Sequence, residues 1–250
     1  MSNNLKKISI ITTVKNGERF IEENINSVRA QTFSHYEHIL IDGGSTDSTM
    51  NIVKKYLNHF SCVMSENDAG IYDGLNKGIE RSQGEIVGLL NSDDFFHDEN
   101  VLTEVYKIFN EYDVDVVYGD LVYLRKDCNL VARNWRAGHF KKRSLLFGWM
   151  PPHPTVFLRK SLLNTVGSYN LDYKISADYD FLIRLFKTKN IKYYYISKVL
   201  VVMRSGGVSN SSVVQVLKKS REDYAILKKN NIGGIFSLFC KNFRKIGQFL

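Results

Sequence analysis

The strongest constraint in this chain is an alternation of two hydrophobic periods across its first half. The run KISIITTV (Lys7–Val14) has the β-branched density of a buried strand, and GERFIEENINSVRAQ after it spaces Phe20, Ile21, Ile25 and Val28 at helical intervals. The pattern repeats. YEHILID (Tyr36–Asp42) reads as a second strand, and the turn DGGSTDS feeds a helix with Ser45, Thr46 or Asp47 as N-cap and Ile52, Val53, Tyr56 and Leu57 as its apolar stripe. CVMSE is a short third strand, NDAG a loop and IYDGLNKGIERS a helix. Then come the strand EIVGLLN, a helix from about Asn100 to Glu111, and the strand VDVVYGD. Strand–helix alternation of this kind predicts a mostly parallel sheet with helices on both faces. Ligands of such sheets bind beyond the carboxyl ends of the strands, and Asp42, Asp93 and Asp94 all fall there.

From about Leu121 the pattern changes. LVYLRKDCNLVARNW alternates like a hairpin, MPPHPTVFLRK mixes turn and strand, and ADYDFLIRLFKT places Phe181, Leu182, Leu185 and Phe186 on one helical face. IKYYYISKVLVVMRSGG reads as extended, and helices are expected from about Ser211 to Lys229 and from Ile232 to the end. This divides the chain into a main domain over 1–210 and a helical extension over 211–250.

With 250 residues, 44% hydrophobic and 24% charged, the chain can bury a core without disulfide or metal staples. Cys62, Cys128 and Cys240 are isolated from one another and form no C-x-x-C pair, which fits reduced thiols in a reducing compartment. The N-terminal apolar run is too short and too polar for a signal peptide or a spanning helix, so a cytoplasmic location is expected. A net charge of +8 and a pI near 9.2 suit a phosphate-bearing ligand, anionic lipid or nucleic acid. No nucleic-acid-binding module accompanies the charge, so nucleic acid ranks last.

The segment GEIVGLLNSDDFF carries an apolar run directly into two adjacent carboxylates. Like charges at a strand end repel unless a cation or hydrogen bonds offset them, and Mg²⁺ or Mn²⁺ held by one or two carboxylates plus substrate phosphates is the natural guest. An isolated SDD is also an ordinary turn. Histidines supply no alternative metal site, because H-E-x-x-H and Cys–His zinc spacings are absent. There is no G-x-S-x-G setting for a nucleophilic serine and no G-x-G-x-x-G after the first strand for a dinucleotide.

Taken in order, SIITTVKNGERFIEENINSVRAQTF, ILIDGGSTDST, GIYDGLNKGIERSQGEIVGLLNSDD and ADYDFLIRL resemble the inverting nucleotide-sugar glycosyltransferases of family two. Its bacterial surface-polysaccharide members are the nearest in pattern, and the resemblance covers about residues 6 to 205. It implies a GT-A fold, a Rossmann-like α/β nucleotide-diphospho-sugar transferase architecture with a mostly parallel central sheet. It also implies a nucleotide-sugar donor, UDP-linked, a divalent Mg²⁺ or Mn²⁺, and a glycan or polyprenyl-linked acceptor. Carried over by position, Thr12, Thr13 and Asn16 line the nucleotide pocket, Asp42 contacts the base, Asp93 lies near the ribose and Asp94 binds the metal. Asp178 is the candidate catalytic base, with Asp180 the competing carboxylate two residues on. His153, in a Pro-rich turn, borders the diphosphate or acceptor, and Arg204, opening MRSGGVSN, reaches the diphosphate.

Two departures stand out. Many relatives have a second aspartate where this chain has Gly43, and an arginine where it has Leu75, leaving Asp73, Asn76 and Lys77 as polar neighbours. The expected activity is transfer of a sugar with inversion in capsule, O-antigen or exopolysaccharide synthesis. The rival is a non-catalytic nucleotide-sugar or glycan-binding relative. The last segment, IGGIFSLFCKNFRKIGQFL, mixes apolar and basic residues and reads either as an interfacial helix on anionic lipid or as a final helix docked on the domain.

Overall fold

The computed structural model describes residues 7–125, 130–204 and 213–246. In chain order the elements are β1 (Ile8–Val14), α1 (Ile21–Arg29), β2 (Tyr36–Asp42), α2 (Thr49–Lys54), β3 (Cys62–Ser65), α3 (Ile71–Arg81), β4 (Ile86–Leu89), β5 (Phe95–Phe96) and α4 (Val101–Glu111). After them come β6 (Val116–Leu124), β7 (Val131–Trp135), β8 (Phe157–Arg159), α5 (Leu163–Val166), α6 (Ala177–Lys187), β9 (Tyr193–Arg204), α7 (Val213–Lys229) and α8 (Gly234–Ile246).

The strands form one sheet in the order β3-β2-β1-β4-β8-β6-β9-β5, with β7 paired to β6. The pairs β2–β3, β1–β2 and β1–β4 are parallel, as the early alternation requires. The second half is mixed. Strand β8 runs antiparallel to both β4 and β6, and β6 pairs in parallel with the long β9. The hairpin expected around residues 121–135 is present as antiparallel β6–β7; Cys128, in its connection, lies outside the described residues.

Every residue of β1 is buried, so its polar side chains must be satisfied internally. Ser9 donates to Glu37 at 2.5 Å, and Glu37 also meets Lys7 at 2.8 Å and the amide of Gly84 at 3.0 Å. Apolar residues fill both faces of the sheet. On one face Ile11, Leu75, Tyr118, Trp149, Phe181, Leu185 and Phe186 pack together; on the other Ile8, Ile10, Leu102, Val105, Phe109 and Phe157 do. Helix α6 buries eight of its eleven residues, so truncating one of its phenylalanines costs about 3–5 kcal/mol.

Three local expectations change. Helix α2 begins at Thr49, after Ser48, while Ser45 and Thr46 belong to the preceding turn; Asp47 takes the Thr49 amide at 2.9 Å. Leu57 leaves the apolar stripe because the helix ends at Lys54, and a 3-10 turn leaves Leu57 49% exposed. The final helix starts at Gly234 rather than Ile232, because Gly233 and Gly234 both adopt positive φ.

Helices α7 and α8 are fastened to the rest of the molecule. Ile226 and Leu227 are fully buried against the α6 face. Lys241 of α8 meets Asp223 of α7 at 2.7 Å and sits 3.2 Å from the ring centre of Tyr179 on α6. Gly148 has φ +69, and a β-carbon there would lie 2.3 Å from the Lys241 amide nitrogen, so only glycine permits this approach.

Candidate active site

The carboxyl ends of β1 and β2 are tied into one polar edge. Asp42, fully buried, accepts Ser45 Oγ at 2.5 Å and Ser65 Oγ at 2.6 Å, together with the Ser45 amide. Asn16 adopts φ 52, its amide donates to Ser45 Oγ at 2.8 Å, and its own Oδ1 accepts the Thr46 amide at 2.9 Å. Asn16 and Asp42 therefore share the turn that follows β2. Beside them the Asp68 carboxylate lies 2.6 Å from where a β-carbon on Gly43 would stand, so a carboxylate from another segment occupies the space next to that glycine.

Next along the edge is the turn Asn91–Asp94. Asn91 Nδ2 donates to Asp94 Oδ2 at 2.9 Å, and Asn24 of α1 donates to the carbonyls of Asn91 and Asp94 at 2.8 and 2.9 Å. Asp94 is 0% exposed and its Oδ1 has no hydrogen-bond partner. Burial, and secondarily the charge of half-buried Asp93, push the Asp94 carboxyl well above its usual range. A buried carboxylate oxygen with no donor, beside a second carboxylate, is a donor set that fits a divalent cation. No cluster of three or more His, Cys, Asp or Glu side chains with metal-binding geometry occurs among the described residues, so the remaining ligands would be phosphate oxygens and water.

Across from this edge, the N-terminus of α6 carries Asp178. Its Oδ1 accepts the Tyr179 amide at 2.8 Å and lies 3.2 Å from the Tyr72 hydroxyl, which also reaches the Ile175 carbonyl at 2.7 Å. The loop before Asp178 is held from α7: Glu222 accepts the amides of Lys174, Ile175 and Ser176 at 3.1, 3.0 and 2.8 Å. Three converging N–H donors on one carboxylate at a helix N-terminus make a strong local anchor. Asp180, the rival carboxylate, is buried and spent on Arg184 at 2.8 Å.

An aromatic wall completes this side. Tyr169 stacks on Tyr72 and Phe181, with centroids 5.8 and 4.6 Å apart, and its hydroxyl lies 2.7 Å from His153 Nε2. Burial lowers the His153 pKa, with Asp178 pulling the other way; burial raises those of Tyr72 and Tyr169, and Asp178 adds to both. Tyr123 on β6 is pushed up to about 12, mainly by burial, with Arg133 opposing and the charges of both Asp94 and Asp178 adding. Tyr123 is thus within electrostatic reach of both carboxylates.

The remaining candidates are distributed unevenly. Thr13, at the end of β1, keeps a buried hydroxyl with no partner and faces α3 at Gly74. Thr12 points into the interior instead, 2.9 Å from His38 Nε2 and 3.3 Å from Asn24 Oδ1. Asn76 clamps the Tyr169 backbone, donating to its carbonyl and accepting its amide, both at 2.9 Å. Lys77 pairs with Glu66 and Asp73. Arg204 ends β9, ion-paired to Glu23 at 2.6 Å and stacked over Phe20 and Phe95; the loop after it, through Ser212, lies outside the described residues.

Four organising residues are not marked as site residues by the sequence reading: Asn24, Tyr72, Tyr123 and Glu222. Asn24 alone leaves a trace in the sequence, as an amide at an inward register position between Ile21, Ile25 and Val28. The others act across long separations that no local period records.

Comparison with known proteins gives the family and the fold. Residues 9–173 match glycosyl transferase family 2. A PGL/p-HBAD biosynthesis glycosyltransferase of Mycobacterium tuberculosis is 32% identical over 211 residues, covering 82% of this chain and 80% of that protein. In fold, the chain is similar to S. aureus TarS 1-349 in complex with UDP-GlcNAc, with TM-score 0.71 at 21% identity over 91% of this chain and 66% of that one. It is also similar to the mannosyltransferase PcManGT from Pyrobaculum calidifontis in complex with GDP-Man and Mn²⁺, with TM-score 0.66 at 14% identity over 96% and 70%. The architecture is the GT-A fold, and the chain belongs to glycosyl transferase family 2.

Proposed function

We propose that this glycosyltransferase moves a sugar from a UDP-linked donor to a glycan or polyprenyl-linked glycan acceptor, with inversion, in the synthesis of a bacterial surface polysaccharide. The observation that carries the reading is Asp94, a fully buried carboxylate beside Asp93 at the end of the β4 strand run, with an oxygen that no hydrogen-bond donor meets. A second carboxylate, Asp178, stands at a helix N-terminus beside an aromatic wall. Attack on an anomeric carbon needs such a division, because the acceptor hydroxyl must lose a proton while charge develops on the leaving diphosphate.

In this reading Asp178 takes the acceptor proton, and Tyr72 and Glu222 hold it in place. Asp94 would hold a Mg²⁺ or Mn²⁺ ion, with Asp93 near the ribose, and the ion would supply Lewis-acid stabilisation of the leaving phosphate. Asn16, Thr13 and Asp42 shape the nucleotide side, His153 and Tyr169 border the acceptor, and Arg204 braces the wall beside the Asp93–Asp94 turn. Residues 1–210 form the catalytic domain and 211–250 its extension, working at the cytoplasmic face of the membrane where a lipid-linked acceptor is presented.

Screening nucleotide sugars for Mn²⁺-dependent hydrolysis and for thermal stabilisation tests the proposal. A donor that raises the melting temperature and is slowly hydrolysed only with metal is the expected result. If no nucleotide or nucleotide sugar shifts the melting temperature with Mn²⁺ present, the reading fails. Binding without hydrolysis or transfer would instead identify a non-catalytic relative.

A further inference from the structure

Helix α8 presents opposite faces to two different surroundings. Inward, Ser237 is fully buried with its hydroxyl 2.5 Å from the Leu146 carbonyl, and Lys241 is anchored to Asp223 and Tyr179. Outward, Ile235, Phe236, Phe239 and Phe243 are 72, 54, 68 and 64% exposed. A docked helix normally turns such residues toward the core. Here the inward register carries Ser237, Lys241 and half-buried Leu238, and the aromatic side is left to solvent.

A second segment extends the same surface. The 3-10 turn Lys142–Phe147 lies against α8, with Leu146 and Phe147 exposed and the rings of Phe147 and Phe236 5.9 Å apart. Phe239 and Phe243 stack on each other at 6.2 Å. Six large apolar side chains from two stretches almost a hundred residues apart in the chain thus share one exposed patch, which for a protein of ordinary composition marks an interaction site.

Charge identifies the partner. Lys141, Lys142 and Arg143 are exposed in the turn, and Arg244 is exposed on α8. Neither stretch contains a carboxylate: no Asp or Glu occurs between Asp127 and Asp172, or after Asp223. A second copy of this chain docking by the same patch would set basic residues against their own kind, whereas anionic headgroups neutralise them while acyl chains take the aromatic rings.

We infer that α8 and the Lys142–Phe147 turn form a composite surface that seats the protein on an anionic bilayer. It deepens the membrane contact in the proposed function and rests on that part of the reading alone. The helix is therefore both docked and interfacial: Lys241 and Ser237 fix its orientation, and that fixed orientation aims the phenylalanines outward. Because Lys241 packs on Tyr179, next to Asp178, the lipid-facing helix is in direct contact with the element that carries the candidate base.

Flotation of the full chain with phosphatidylcholine vesicles, with and without phosphatidylglycerol, tests the inference. Binding is expected only to the anionic vesicles, weakening with salt and falling roughly fivefold for each basic residue reversed in Lys142→Glu and Arg143→Glu. Phe236→Ser/Phe239→Ser/Phe243→Ser should lose tenfold or more, and Phe147→Ser alone should weaken binding if the turn takes part. All these side chains are exposed, so melting temperature and metal-dependent donor hydrolysis in solution should match the parent protein. Wild-type protein that stays off anionic vesicles overturns the inference, as does a triple variant that still binds. So does light scattering that shows a dimer abolished by the triple substitution in wild-type protein that does not bind vesicles. Donor hydrolysis in the same samples reports on the catalytic reading separately.

Discussion

The two sides of the candidate site are built in different ways. On the proposed donor side the carboxylates sit in local turns, Ser45 to Asp42 and Asn91 to Asp94 spanning three residues each, which Ser65, Asn16 and Asn24 brace from 23, 29 and 70 residues away. On the base side the corresponding contacts join residues far apart in the chain: Tyr72 to Asp178 spans 106 residues, Asn76 to Tyr169 spans 93, and Glu222 to Ser176 spans 46. The proposed donor edge thus starts from short turns at the ends of parallel strands and is tied together across segments. The base wall exists only once α3, α6 and α7 have packed. Damage to distant packing should therefore disturb the candidate base and leave the nucleotide edge in order.

The largest expected effect comes from removing the proposed base. Asp178→Asn should lower transfer by about 10²- to 10⁴-fold, while donor affinity measured by calorimetry stays within about twofold. An equal loss in both would show that the two sides do not work separately. Near-normal turnover with intact donor binding would remove Asp178 from the role altogether.

Asp94→Asn probes the other side. The substitution removes a buried charge whose Oδ1 has no partner, so the ligand-free protein should become about 1–3 kcal/mol more stable, even as activity falls. Thermal stabilisation by Mn²⁺ with nucleoside diphosphate should vanish in the same variant. A less stable variant that still responds to the cation would contradict the assignment.

Glu222→Gln tests the distant anchor. The glutamine offers one acceptor oxygen to three amides and turns an NH₂ group toward them, so the loop before Asp178 should loosen at a cost of about 1–3 kcal/mol. Turnover should fall about tenfold with the donor KM unchanged, the signature of a positioning residue rather than a binding one. A matching rise in donor KM would mean that the two sides are coupled through α7.

The same contrast explains what could be read in the sequence. The parallel strands β1, β2 and β4, the amphipathic α1 and α3, and carboxylates at strand ends follow from local period and turn chemistry, and they were legible as such. Mixed pairing of β8 and β6 was not, because antiparallel insertion is decided by which apolar faces meet. Thr12 and Asn76 have the polarity of ligand contacts, yet their hydrogen bonds go to His38 and the Tyr169 backbone. Sequence shows that a side chain is polar; only packing decides whether it faces a ligand or the interior. Glu222 sits in a basic stretch of α7 where a solvated face is the ordinary expectation, and nothing local marks it as the acceptor of three amides.

The smallest expected effect lies beneath the proposed donor edge, in the pair formed by buried His38 and half-buried His59. His38 Nδ1 is 2.9 Å from His59 Nε2, and its other nitrogen meets Thr12, which also reaches Asn24 under the Asn91–Asp94 turn. Burial, and then the neighbouring imidazole, lower the His38 pKa well below 6.5; burial, and then Arg29, bring that of His59 to about 4. For a histidine whose folded value is depressed, the folded state is favoured fully above the unfolded value of 6.5. As pH falls below that value the unfolded chain binds a proton that the folded one refuses, so stability is lost progressively toward about 4. His59 is only half-buried, which reduces the effect through solvent screening. Comparing wild type with His59→Gln isolates the pair from the carboxylates that titrate lower. The wild-type melting temperature should fall more steeply than the variant's between about pH 7 and about pH 5. Parallel slopes would mean that the imidazoles accept protons without opening the fold, and that the polar layer under the donor edge is softer than its hydrogen bonds imply.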